Sequence, residues 1–424
     1  MAPSFSLRKS VSVLAGTAVA AQALNGLSVL VQAHFYQPAT IGYIANALSA
    51  AIILAPVCTM QLAIAVPQQR ELRDVARLVG TLLSTMSIGV AAMALVFALI
   101  ADRVLPSGNA LRATWPAVLI LIPFIVAFDV ARLLAAREGA FRAVGLQNVL
   151  SAGGRLVFQL AGGFVGGSLA GLMLGETGGR LVALGAMRRT LINTAQEVLA
   201  TPIRIGDTLR QHWRFPLISM PSSLLDNLGG YLPPILIGNL FGIQAAGLFF
   251  LAQRVVTLPV TFTAQTTADV VQVRAAHVLH GDRSELLRFV ARSVAVLGLA
   301  GVVLLGVLLF FTTEVWSLVF AAKWETARRL ALALLAPIPF QTVAAPLSRV
   351  LVVAHRQSYK LLFDFFFLGA ALSPLIPLGG HAATLDVAVW RIAIGYTVAY
   401  LIYIVMIVAA AANPLHVGSV RKAD

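Results

Sequence analysis

Residues 247–259 read GLFFLAQRVVTLP. They sit in an apolar run from about 243 to 271, and no charge other than Arg254 falls within a dozen residues on either side. A helix on the surface of a soluble protein buries one stripe and shows charge on the other; one that is apolar all round belongs in a core or a membrane. About 20 such residues cross the hydrocarbon of a bilayer. The run is long enough, so the fold question becomes a membrane question. Arg254 then needs a reason, because a charge at the bilayer centre costs about 2.5–3.5 kcal/mol on insertion scales and more by other estimates.

The whole chain shares this character. Of 424 residues, 59% are hydrophobic and 11% charged, with a mean hydropathy of +0.87. Soluble domains carry roughly a quarter charged residues. Net charge is +14, from 31 Lys and Arg against 17 Asp and Glu. In a soluble protein that excess would suggest nucleic acid. Here the charges fall in short loops between apolar runs, where topology and anionic headgroups account for them and nucleic acid is not implied. Cys58 is the lone cysteine, lies in an apolar stretch and forms no intrachain disulfide.

Apolar length places twelve spans, near 10–33, 38–65, 77–101, 115–134, 143–164, 167–187, 214–240, 243–271, 286–311, 327–353, 357–377 and 387–411. The first could pass for a signal peptide, since Arg8-Lys9 precede VSVLAGTAVA and AQA. Its apolar character continues through NGLSVLVQA to about residue 33, the length of a span. The fifth and sixth spans are the weakest, because GGRLVFQLAGGFVGG and LGETGGR are glycine-rich and charged.

Loop charge orients the chain. Alternate loops, from Arg8 and Lys9 to Arg421 and Lys422, hold twenty-one basic residues, and the intervening loops hold six. The positive-inside rule puts both termini in the cytoplasm. The longest internal loop, 188–213, separates two halves of six spans, a 1–187 lobe and a 214–424 lobe. The halves echo each other: ATIGYIANALSAAIILAP opens span two and AAGLFFLAQRVVTLP span eight, followed by RELRDVAR and SELLRFVAR. Repeated halves related by an axis along the membrane normal are a transporter architecture, with the substrate site near the midplane. No Walker-type phosphate loop, zinc motif or nucleophile elbow is present, and no cofactor or metal is implied.

Polar groups inside spans are the candidate site residues. Asp129 and Arg132, three apart near a boundary, are explained by snorkelling. Arg349 and Asp269 are placed similarly. Glu176 and Arg180 are four apart on span six, spaced for an ion pair, with Arg155 at comparable depth on span five, so that cluster keeps a surplus positive charge. Asp364 is a further acid within or near a span. Arg254 lies about 16 Å into its span at 1.5 Å per residue, beyond any snorkel. Asp226 reaches the same depth on span seven from the other side. Two readings stand for them: a structural ion pair, or a substrate or ion pathway. Gln253, Gln22, Asn25, Asn46, Asn227 and Gln265 to Thr267 add polar groups, which also serve as glue between helices.

These residues carry a family resemblance. The chain resembles Wzx-type polysaccharide (oligosaccharide-lipid) flippases of the MOP superfamily, which also holds lipid II flippases and MATE exporters. HWRFPL (212–217), YLPPILIGNLFGIQAAGLFFLAQRVVTLP (231–259), LVFAAKWETA (318–327) and APLSRVLVVAHRQ (345–357) carry most of it, with ATIGYIANALS (39–49) in the first half. The resemblance implies an all-α protein of twelve transmembrane helices in two six-helix lobes around a central cavity. It implies alternating-access translocation of undecaprenyl-pyrophosphate-linked oligosaccharide across a bacterial inner membrane, outward. A polysaccharide polymerase and a chain-length regulator are the protein partners it implies. It places Arg254 where a cation can bind pyrophosphate. Two departures stand out: Ala321 or Ala322 replaces a glycine before Trp324, and span one lacks the arginines of lipid II flippases.

The rival readings are a MATE-like cation antiporter, which favours an acidic cavity, and a lipid II flippase. A membrane-embedded glycan polymerase or acyltransferase is a rival of a different class. It needs a large outer loop or a catalytic histidine, and His34 and His381 sit in short loops without evident partners.

Overall fold

The computed structural model describes residues 7–104, 110–279, 283–354, 356, 358–376 and 384–412. His381 and the side chains of Gln265, Thr266 and Asp269 lie outside the described residues. All regular structure among the described residues is helical, as a chain in lipid requires when its backbone must satisfy its own hydrogen bonds.

Each of the twelve expected spans falls on a helix or a helix pair. The first six are α1 (Leu7–Phe35), α2 (Pro38–Thr59), α3 (Leu72–Val104), α4 (Ala110–Arg137), α5 (Phe141–Phe164) and α6 (Leu169–Gly185). Between them and the rest come α7 (Arg188–Ala200) and α8 (Ile205–Gln211). Then follow α9 (Met220–Phe241), α10 (Ile243–Leu279) and α11 (Arg283–Phe310). The C-terminal part comprises α12 (Trp316–Val319), α13 (Glu325–Leu334), α14 (Ile338–Val353), α15 (Ser358–Leu372) and α16 (Leu385–Ala412).

Six helical stretches are long and apolar enough to cross a membrane by composition alone, among the described residues. A seventh is the pair 322–334 and 338–351, bent by 60°. By contrast α6, with 17 residues, and α15, with 15, are shorter than the roughly 20 residues that cross a bilayer. The chain is a multi-pass membrane protein.

One correction concerns 188–213, expected as a loop. It is largely helical. Its first helix, α7, packs on α3, where Arg73 Nε lies 3.7 Å from Glu197 Oε1. Gly80 leaves room for the Ile203 side chain. Thr190 also donates to Glu138 Oε2 at 2.7 Å.

The structure falls into two compact units, Met1–Leu251 and Ala252–Asp424. In the first, α5 packs against both α6 and α1, and α2 against α4 and α9. The α5–α6 contact explains the glycines that weaken the sequence signal. A Cβ on Gly162 would stand 2.5 Å from Gly171 Cα, and one on Gly179 would stand 2.6 Å from the Ser151 carbonyl oxygen. Small residues are what let helix backbones approach within lipid. Gly42 on α2 and Gly247 on α10 are a second such crossing, where a Cβ on either would collide with opposing backbone.

In the second unit, α16 packs against α11, α14 and α15. Aromatic stacking fills the α15–α16 seam, with Phe363 and Tyr403 rings 4.0 Å apart and Phe367 and Tyr396 4.3 Å apart. Trp324, at the turn that begins α13, is fully buried, so the tryptophan of LVFAAKWETA anchors that bend.

Candidate functional site

Close packing of α5 on α6 brings together a polar cluster inside the first unit. Glu176 is 2% exposed and stands between two arginines. Its Oε1 lies 3.3 Å from Arg155 Nε, and its Oε2 lies 2.8 Å from Arg180 Nη1. Arg180 Nη1 also donates to the Glu176 carbonyl at 2.6 Å. One carboxylate thus bridges two guanidiniums, and Asp129 of α4 acts on Arg180 from farther off. In a medium of lowered dielectric these charges act at longer range than in water.

The cluster extends into α1. Arg155 Nη1 reaches Asn25 Oδ1 at 3.4 Å, and Asn25 Nδ2 reaches Gln22 Oε1 at 3.4 Å. Five of the sequence candidates, Gln22, Asn25, Arg155, Glu176 and Arg180, therefore form one network across three helices. Their grouping was only half legible, because nothing in the spacing links α1 to α5.

Sequence reasoning missed the next layer. Gln32 Nε2 donates to Gln159 Oε1 at 3.1 Å, and Tyr36 Oη donates to the Gln159 carbonyl at 2.7 Å. All three residues are buried. The available signal was two amides and a phenol at the ends of otherwise apolar runs, each unremarkable alone.

Other candidates serve packing. Asn227 Nδ2 donates to the Ile52 carbonyl at 2.9 Å, and Gln61 Nε2 to Ser223 Oγ at 2.5 Å, so both tie α9 to the α2 segment. Asn46 is fully buried and packs against Gly238 of α9. Neither polar atom of its amide has a hydrogen-bond partner among the described residues. A buried amide left this way costs about 1–3 kcal/mol. Asp364 is fully buried beside Lys360, one turn earlier on α15, with which it forms an ion pair. Lys360 lies at the edge of its span, so the pair is a finding of the structure. Arg349 is exposed, in keeping with a snorkelling side chain.

Gln253 and Arg254 are half-buried on α10. Pro259, five residues on, lacks the N–H that would bond the Val255 carbonyl, loosening the helix one turn beyond the arginine. Asp226 belongs to the first unit and Arg254 to the second. Their pairing stays an expectation. Among the described residues, no three His, Cys, Asp or Glu side chains cluster as a metal site.

Comparison with known proteins bears out the resemblance. Residues 120–329 match a family model described as polysaccharide biosynthesis protein. The fold is shared with a multidrug resistance MATE transporter of the MOP superfamily, solved inward-facing, at TM-score 0.75 and 14% identity. That match covers 95% of this chain and 96% of the other. It is shared also with the lipid II flippase MurJ in an inward closed conformation, at TM-score 0.70 and 10% identity over 93% and 86% of the two chains. No curated protein matches this chain in sequence. At these identities the likeness is one of fold alone, an all-α membrane-protein fold.

Proposed function

We propose that the chain is a flippase that moves undecaprenyl-pyrophosphate-linked oligosaccharide repeat units from the cytoplasmic to the periplasmic leaflet of a bacterial inner membrane. The product would feed exopolysaccharide or O-antigen assembly. The family match over residues 120–329 carries this reading, because it separates polysaccharide work from drug export among chains that share the fold. In this reading 1–187 and 214–424 are the two lobes, and α7 and α8 connect them.

The chemistry follows from the substrate. A polyprenyl tail can stay in lipid, whereas a pyrophosphate and its sugars need a polar, cationic path open to one face at a time. Arg254 offers the planar donor fork that suits phosphate oxygens. Gln253, Gln22 and Asn25 offer amides to sugar hydroxyls. Asn46, closed off against Gly238, becomes available only in a state where α2 and α9 part. Asp226 is the resting counter-ion of Arg254, or the carrier of a coupling proton or sodium ion. A cation antiporter calls for an acidic surplus, while here two arginines share the buried Glu176.

Deleting the gene tests the reading. Lipid-linked repeat units should accumulate in the cytoplasmic leaflet, shielded from a periplasmic lectin, while surface polymer disappears. Normal surface polymer with no accumulation would exclude the function.

A further inference from the structure

A groove of about 750 Å³ opens between α10 and α11, wholly within the second unit. Among the described lining residues, Arg274 comes from α10 and Arg288 and Arg292 from α11, with one acid, Glu285. Val271 and Phe289 supply apolar wall. Arg288 and Arg292 are one turn apart, and the same face of α11 runs on through Val296, Leu299, Val303 and Val307, all exposed. Charge gathers at one end of this stripe and hydrocarbon follows without interruption. The loop-charge count assigns the arginine end to the cytoplasmic headgroup layer.

That order, phosphate-seeking then apolar, is the order of a lipid molecule standing in a leaflet. Among the described lining residues, three arginines against one glutamate leave two surplus positive charges, which a neutral or zwitterionic headgroup does not match. Basic pockets between membrane helices on the cytoplasmic side are known to take anionic headgroups. We propose that the α10–α11 groove is a binding site for an anionic phospholipid, its phosphate held by Arg274, Arg288 and Arg292 and one acyl chain lying along the Val296–Val307 stripe. The lipid would brace the helix that bears Arg254. This site is separate from the path proposed for the oligosaccharide head and does not depend on it.

Native mass spectrometry of the delipidated full chain in detergent tests this, with phosphatidylglycerol as the probe and phosphatidylcholine as comparator. The wild type should retain phosphatidylglycerol in preference, and excess inorganic phosphate should not displace it. R288Q/R292Q should bind about thirtyfold more weakly, at about 1 kcal/mol per arginine. Arg274→Gln, on the other helix, should weaken retention independently, whereas Arg329→Gln, outside the groove, should not. Undiminished retention in both groove variants would overturn the proposal, as would equal retention of phosphatidylcholine. Displacement by free phosphate would overturn it too, by marking a simple anion site.

Discussion

Arg155 on α5 and Glu176 on α6 meet at 3.3 Å because glycine lines the seam between their helices. The pair belongs as much to the backbone as to the charges. It forms where Gly179 lies against Ser151 and Arg155 and holds the two helices in contact.

Glu176 is the carboxylate that Arg155 and Arg180 share. Glu176→Gln would remove the carboxylate that both arginines share. Removing one partner of a buried pair typically costs about 3–5 kcal/mol. A clear drop in the thermal unfolding midpoint of the purified protein is expected, with a smaller drop for Arg155→Gln, which leaves the Glu176–Arg180 pair intact. A midpoint equal to wild type for Glu176→Gln would show that the cluster is neutralised in some other way.

Gly162→Val tests the seam itself. The new side chain starts 2.5 Å from Gly171 Cα, so α5 and α6 must separate. Overpacking of this kind typically costs about 1–3 kcal/mol. Reduced monodisperse yield is expected, while Gly185→Val, where a Cβ meets nothing within 4 Å, should behave as wild type.

Two cations in the second unit should behave oppositely. Lys360→Met removes an ion-pair partner of the fully buried Asp364 and should destabilise by several kcal/mol, about 3–5 by analogy with other buried pairs. Arg349→Gln changes an exposed side chain and should shift stability by no more than about 0.5 kcal/mol. Thermal midpoints of the two variants would separate these outcomes.

His212, where α8 ends, gives a pH dependence. Burial holds its pKa below the usual 6.5, partly opposed by Asp74. Above that value the ring is neutral in folded and unfolded chains alike. As pH falls through it, the unfolded chain takes up a proton that the folded chain resists, so stability falls with acid. Between about pH 7 and about pH 5, the midpoint should decline more steeply in wild type than in His212→Gln. Parallel declines would remove the histidine from the account.

Arg254→Ala should abolish surface polymer while the protein still inserts at normal abundance, measured by immunoblot of membranes. Wild-type export by that variant would take Arg254 out of the path and leave it a structural role.

Much of the fold was legible because a bilayer demands long apolar runs, and GLFFLAQRVVTLP is one such run. The glycines of α5 and α6 obscured two spans, since the residues that let helices pack closely also lower hydropathy. The 188–213 connector read as a loop because its charges outweighed the periodicity of α7. Part of the site was legible from helical spacing, as with Glu176 and Arg180, four apart. Lys360–Asp364 was overlooked because Lys360 sits at a span edge and counted as a loop charge. Gln32, Gln159 and Tyr36 required the tertiary structure, since no local pattern joins residues more than a hundred positions apart.

The central claim is best tested by translocation in a defined bilayer. Proteoliposomes holding the purified chain would receive a fluorescent undecaprenyl-pyrophosphate oligosaccharide in one leaflet, and its arrival in the other would be timed by a membrane-impermeant quencher. The account predicts rapid transfer with wild type and transfer at the empty-liposome rate with Arg254→Ala. Wild-type transfer no faster than empty liposomes, with any imposed ion gradient, would contradict it.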